Sequence, residues 1–144
     1  MTTPPPHVTN VSAEVVFERY ARVVVVGGPA AGKSTMTANL QRPVIHTDDL
    51  MELPWAEVPE ALIAAVCEHP RWCMEGVQTA RALRKGLECD AVIVIKGWLR
   101  PLTPRQIGMH KAIRTVLADW LATDPTVPVH VIEAVKVAIW SVNY

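Results

Sequence analysis

Apolar positions fall into short unbroken runs separated by stretches with a helical period. Val23, Val24, Val25 and Val26 run without a polar break and end at Gly27-Gly28. A β-branched run without alternation suits a strand covered on both faces, as in a parallel sheet. A helix is expected over residues 33–41, then a short strand over 43–46, interrupted by Asp48-Asp49. Pro59 sits where a first-turn proline is tolerated, and Leu62, Ile63, Val66 and Cys67 recur at helical spacing as far as His69-Pro70. Trp72-Cys73-Met74 leads into Glu75-Gly76 as a third strand and its turn, followed by a helix over 80–86. Ala91-Val92-Ile93-Val94-Ile95 reads as a fourth buried strand. Thr103-Pro104 has the form of an N-cap with proline at the first helical position, and Met109, Ile113, Val116, Leu117, Trp120 and Leu121 then mark one face of a long helix. A fifth strand is expected over 127–132, while 133–144 fits helix or strand equally.

Strands alternating with helices predict a three-layer α/β sandwich on a five-stranded, mostly parallel sheet with right-handed crossovers. Residues 1–10, rich in proline and threonine, read as a flexible leader, and 11–144 as a single domain. The 144 residues, half of them hydrophobic, are enough for one core and hence one site.

Fourteen basic residues balance fourteen acidic ones, so no overall positive field draws the chain to nucleic acid, although a local patch stays open. No run of about 18 apolar residues could span a bilayer, and the proline-rich start lacks the pattern of a signal segment. A cytoplasmic protein with no membrane partner is the expectation. Cys67, Cys73 and Cys89 are expected to be reduced, buried, small hydrophobes. The five histidines are scattered, and no pattern of structural metal ligands is present.

The chemistry enters at Gly27-Gly28-Pro29-Ala30-Ala31-Gly32-Lys33-Ser34, a complete GxxxxGK[ST] pattern extended by Thr35. Average residue frequencies would produce it by chance in about one chain of this length in 200. Its place between a strand and a helix is what a Walker A loop requires: glycines turn backbone N–H groups inward around phosphate oxygens. Lys33 would reach the β- and γ-phosphates, and the Ser34 hydroxyl would ligate Mg²⁺. Two carboxylates, Asp48 and Asp49, then fall at the carboxyl end of the next strand, the end where open α/β sheets bind ligands. Aspartate is also a favoured N-cap, so either could instead start a helix near Leu50.

These residues together resemble the small P-loop kinases related to adenylate kinase, and in particular those that phosphorylate a hydroxyl, such as the polynucleotide 5′-hydroxyl kinases. The resemblance runs from about Val23 to Ile132. It implies ATP and Mg²⁺, with Asp48 as the base that accepts the hydroxyl proton and Asp49 orienting the acceptor or a metal-bound water. Glu75, in Trp72-Cys73-Met74-Glu75-Gly76, would assist the metal or contact the acceptor, or else be an edge carboxylate in solvent. Arg81, with Arg84 beside it, lies where such kinases hold an acceptor or phosphate arginine. Arg100, Arg105 and Arg114 could equally neutralise transition-state charge, and no spacing selects among the five.

The chain offers no separate arginine-rich lid, which favours a hydroxyl acceptor over a nucleotide. The function so implied is transfer of the γ-phosphoryl group of ATP to a hydroxyl on a small molecule or nucleic-acid component. The alternatives are a DNA kinase acting on a 5′-hydroxyl or a hydroxymethylated base, and a regulatory NTPase. No NKxD-like guanine signature is present, which disfavours GTP. Of the five tryptophans, Trp55 in Leu53-Pro54-Trp55 is the one placed to line an acceptor pocket, the others reading as packing. Oligomeric state is open.

Overall fold

Val23, Val24, Val25 and Val26 are all but completely buried, and the strand they form stands at the centre of the molecule. The computed structural model describes residues 8–9, 12–38, 40–50 and 52–134. In chain order its elements are β1 (Val8–Thr9), α1 (Ala13–Arg19), β2 (Arg22–Val26), α2 (Lys33–Thr37), β3 (Val44–His46), α3 (Val58–Val66), β4 (Trp72–Gly76), α4 (Thr79–Lys85), β5 (Ala91–Lys96), α5 (Pro104–Leu121) and β6 (Val129–Glu133). The sheet order is β1-β6-β5-β2-β4-β3, and every pairing is parallel. The five expected strands are therefore all present. A two-residue sixth, β1, pairs Val8 with Val129 and Thr9 with His130 at the edge. Those two residues lie within the stretch read as a leader, whose other residues lie outside the described ones.

The two faces of β2 and its neighbours bury different helices. On one side Val24, Val26, Met74 and Val92 meet α3, α4 and α5 through Leu62, Leu83 and Trp120. On the other, Val23, Val25, Cys73 and Ile93 meet α1 and α2 through Val16, Phe17 and Met36. This two-sided cover is why β2 reads as an unbroken apolar run.

Helix ends follow local chemistry. Thr103 and Gln106 make a reciprocal capping box at the start of α5, with Pro104 in the first turn. At the end of α4, Gly86 takes φ 111°, its N–H bonding Leu83 O and that of Leu87 bonding Ala82 O, which satisfies carbonyls the helix would leave open.

Three expectations are corrected, and one helix had gone unread. Helix α2 ends at Thr37 rather than near Gln41: the N–H groups of Ala38 and Leu40 bond Thr35 and Thr37, a tightening to three-residue spacing before Pro43. Asp48 and Asp49 lie inside a 3₁₀ turn, Thr47–Leu50, and α3 starts at Val58, so neither caps it. Helix α1 had no sequence signal, because its only buried positions, Val16 and Phe17, are adjacent and show no period. Cys67 is exposed at the end of α3, while Cys73 and Cys89 are buried as expected. The ambiguous tail is resolved only as far as Glu133, the end of β6, and Ala134; residues 135–144 lie outside the described residues.

Candidate functional site

With all strands parallel, the segments that follow β2, β3, β4 and β5 emerge at one end of the sheet. The chain leaves β2 for β3 and β4 on one side and later builds β5 and β6 on the other. That reversal opens a crevice at the carboxyl ends of the strands, where open α/β sheets bind ligands. A cleft of about 980 Å³ occupies this end, near the top of the roughly 300–1,000 Å³ range of small-molecule sites.

Its floor is the loop over residues 29–35. Ala30 and Gly32 both adopt left-handed backbone, φ 61° and 93°, and Ala31 between them is fully buried. Alternation of this kind curls successive N–H groups toward one point and forms a concavity for an anion. Ala30 carries a Cβ in a region where L-residues are disfavoured, so neighbouring structure must hold it there. Two contacts do so. The Leu99 N–H donates to Ala30 O at 2.9 Å, and His110 Nε2, from α5, donates to Pro29 O at 2.8 Å. The His110 ring also lies where a Cβ on Gly28 would fall, 2.2 Å from its Cε1, so only glycine fits.

Lys33 is buried, and its Nζ donates to Gly28 O at 2.6 Å, folding the ammonium over the loop. Burial pulls its pKa below the ordinary lysine range, while the charges of Glu75 and Asp48 oppose the fall. Both carboxylates are thus close enough to be felt by the ammonium. Ser34 and Thr35, at the start of α2, are exposed to the cleft.

Asp48 lines the cleft from the turn after β3; Asp49 is exposed and is not among the lining residues. The turn is held by Thr47, which is buried against Gly76 at the end of β4. Glu75 is 4% exposed rather than a solvent-edge carboxylate. Its Oε1 lies 2.5 Å from Nδ1 of His46, the residue paired with it across β3 and β4. His46 and Glu75 form a pair that the scattered histidines of the sequence did not suggest, although His46 stands two residues before Asp48.

The arginines separate cleanly. Arg100 and Arg105 line the cleft, the first carried there by the loop that Leu99 ties to Ala30. Arg81 is not a cleft residue: its guanidinium lies 5.0 Å from the Trp55 ring centroid, and both border a small neighbouring cavity. Arg84 pairs with Asp119 at 3.2 Å, and Arg114 borders a separate pocket behind Gly27 and Gly28. Trp55, singled out in the sequence, lines the cleft.

Among the described residues no group of three or more His, Cys, Asp or Glu is placed to hold a metal ion. Mg²⁺ commonly binds through one or two protein oxygens together with substrate phosphates. Ser34, Asp48 and Glu75, on one cleft with Lys33, supply oxygens of that kind. No helix of the described residues is long and apolar enough to cross a membrane. No protein-family model matches the chain, and no curated protein matches it.

Proposed function

We propose that this chain is a P-loop kinase, using ATP and Mg²⁺ to phosphorylate a hydroxyl group. The observation that carries the reading is one cleft that gathers the left-handed Ala30–Gly32 turn, the buried Lys33 and the Asp48 carboxylate at the carboxyl ends of parallel strands. The adjacency of β2 and β4, which brings Glu75 beside the loop, supports the resemblance to the adenylate kinase-like group.

In this reading the loop N–H groups and Lys33 hold the triphosphate. The acceptor oxygen attacks the γ-phosphorus, the bond to the β–γ bridging oxygen breaks, and its electron pair leaves with ADP. The hydroxyl proton passes to Asp48. Arg100 or Arg105 neutralises charge on the transferring group, and positioning contributes most of the rate. Mg²⁺, when bound, would be held by Ser34 with Glu75 or its water shell and would supply further neutralisation of phosphate charge. His46 keeps the Glu75 carboxylate oriented.

The test is transfer of labelled γ-phosphate from ATP to a panel of sugars, nucleosides, nucleotides and DNA bearing 5′-hydroxyl or hydroxymethyl-base groups. Labelled product from any acceptor supports the kinase reading; labelled product from the DNA arm alone selects the DNA kinase. Release of free phosphate alone, whatever the acceptor, replaces it with a regulatory NTPase.

A further inference from the structure

The cleft lining is chemically mixed. Lys33, Asp48 and Glu75 share it with Leu50, Leu53, Trp55, Val58, Val77 and Met109. Leu53 and Trp55 remain 38% and 55% exposed although both are large and apolar. Exposed apolar side chains gathered on a concave wall mark a binding surface.

Trp55 has an unusual setting. The Arg81 guanidinium sits 5.0 Å from its ring centroid, and the indole borders both the Arg81 cavity and the main cleft. A cation–π contact of this type holds the ring in place. The indole remains 55% exposed and lines the cleft.

Arg100, Arg105, Thr103 and Gln106 also line the cleft. Thr103 and Gln106 satisfy each other in the α5 capping box. Gln78 is 3% exposed, lines the cleft, and its Oε1 has no hydrogen-bond partner. A buried amide oxygen without a partner costs stability, a cost that a ligand reaching it would offset. The oxygen is itself enclosed, and the soft terminal torsion of glutamine is what would turn it toward a bound group.

We infer that the acceptor is a small alcohol built on a flat heteroaromatic ring with an N–H donor on its edge, the chemistry of a free nucleoside, its ring against Trp55 and its donor on Gln78. Phosphorylation of its hydroxyl rests on the kinase reading; recognition of the ring does not. A polyol or sugar would lose hydrogen bonds to water against the Trp55 ring and gain no stacking there.

The experiment measures binding of thymidine, adenosine, gluconate and glycerol to the full chain by calorimetry, in parallel with label transfer from ATP. The same is done for Trp55→Ala, Trp55→Phe and Gln78→Leu. The expected result is that nucleosides bind and polyols do not. Trp55→Ala weakens nucleoside binding about tenfold, as loss of one stacking partner does, Trp55→Phe recovers most of it, and Gln78→Leu weakens it as well. Nucleoside binding that depends on Trp55 without labelled product supports the ring pocket and removes the kinase reading. Label on gluconate or glycerol keeps the kinase and overturns the ring pocket, as does label on a DNA 5′ end with none on a free nucleoside. Nucleoside binding that is absent, or indifferent to Trp55→Ala, also overturns it.

Discussion

The hydroxyl of Thr47 occupies the space that a side chain on Gly76 would need: a Cβ built there falls 1.8 Å from Thr47 Oγ1. Gly76 also has φ +136°, a backbone that L side chains rarely adopt. The contact joins the turn carrying Asp48 to the end of β4 directly after Glu75, so two acidic residues from different strands share one anchor. The N–H of Gln78, 3.5 Å from Thr47 Oγ1, completes it. Gly76→Ala is therefore expected to cost about 2–4 kcal/mol through strain and overpacking. Thr47→Ala in the same chain should recover part of that loss. Urea unfolding of the four variants of the cycle measures the coupling; additive losses would show that the two positions do not compete for space.

Lys33→Ala removes the ammonium that folds over the loop. Phosphoryl transfer is expected to vanish while the circular dichroism spectrum and melting stay native. Asp48→Asn is expected to keep ATP binding and lose transfer, because the amide cannot accept the hydroxyl proton. Unchanged turnover in Asp48→Asn would remove the base assignment, and loss in Asp49→Asn instead would move it to the neighbour.

Position rather than sequence spacing distinguishes the arginines. Arg100→Ala and Arg105→Ala, in the cleft, are each expected to lower kcat by up to about 10²-fold, the scale of a lost transition-state donor. Arg84→Ala, whose partner is Asp119 on α5, should leave kcat where it was. Arg81→Ala should act on acceptor KM through Trp55. A large kcat loss confined to Arg81→Ala would restore it as the catalytic arginine.

Arg22 and Asp90 tie the start of β2 to the start of β5: Arg22 Nη2 and Nε lie 2.9 and 3.2 Å from the two carboxylate oxygens, and the Arg22 backbone N–H adds a third bond. These bonds from Arg22 hold the Asp90 carboxyl below the usual carboxylate range. Since the folded pKa is the lower one, the stabilisation is present above the unfolded value of about 3.9. It is lost as pH falls through the folded value. Both side chains are about one-third exposed, so the effect is small and weakened by salt. Asp90→Asn should flatten the acid limb of the stability-against-pH curve below about pH 4; an unchanged limb would mean that the pair contributes nothing.

Thiol chemistry should follow burial. Cys73 and Cys89 are buried, which pushes each thiol up to about 12, whereas Cys67 is exposed. Iodoacetamide at pH 8 is expected to label one thiol quickly, at Cys67, since thiolate is the reactive form. Cys67→Ser should abolish the fast phase; rapid labelling of Cys73 in the native protein would contradict its place in the core.

Much of the architecture was already legible in the sequence. The valine run, the AVIVI run and the glycines after them define strands and their ends from local sterics and burial alone. The Thr103-Pro104 start of α5 is likewise a local signal, because its capping box closes within three residues. The whole pattern from Gly27 to Ser34 could be read because its residue types stand at fixed spacing within eight positions.

Tertiary structure decided what depends on distant neighbours. Asp48 and Asp49 look equivalent in sequence, yet the turn exposes only one of them to the cleft. Glu75 could have been a solvent carboxylate, but pairing of β3 with β4 sets His46 beside it. Five arginines looked interchangeable, and packing of α4 on α5 and of Leu99 on Ala30 separated them. His110 reaches Pro29 across 81 positions of sequence, and Arg42 crosses from the start of β3 to the carbonyls of Tyr20 and Ala21. A side chain's partner is chosen by the sheet order and the helices laid on it, and no periodicity in one segment carries that information.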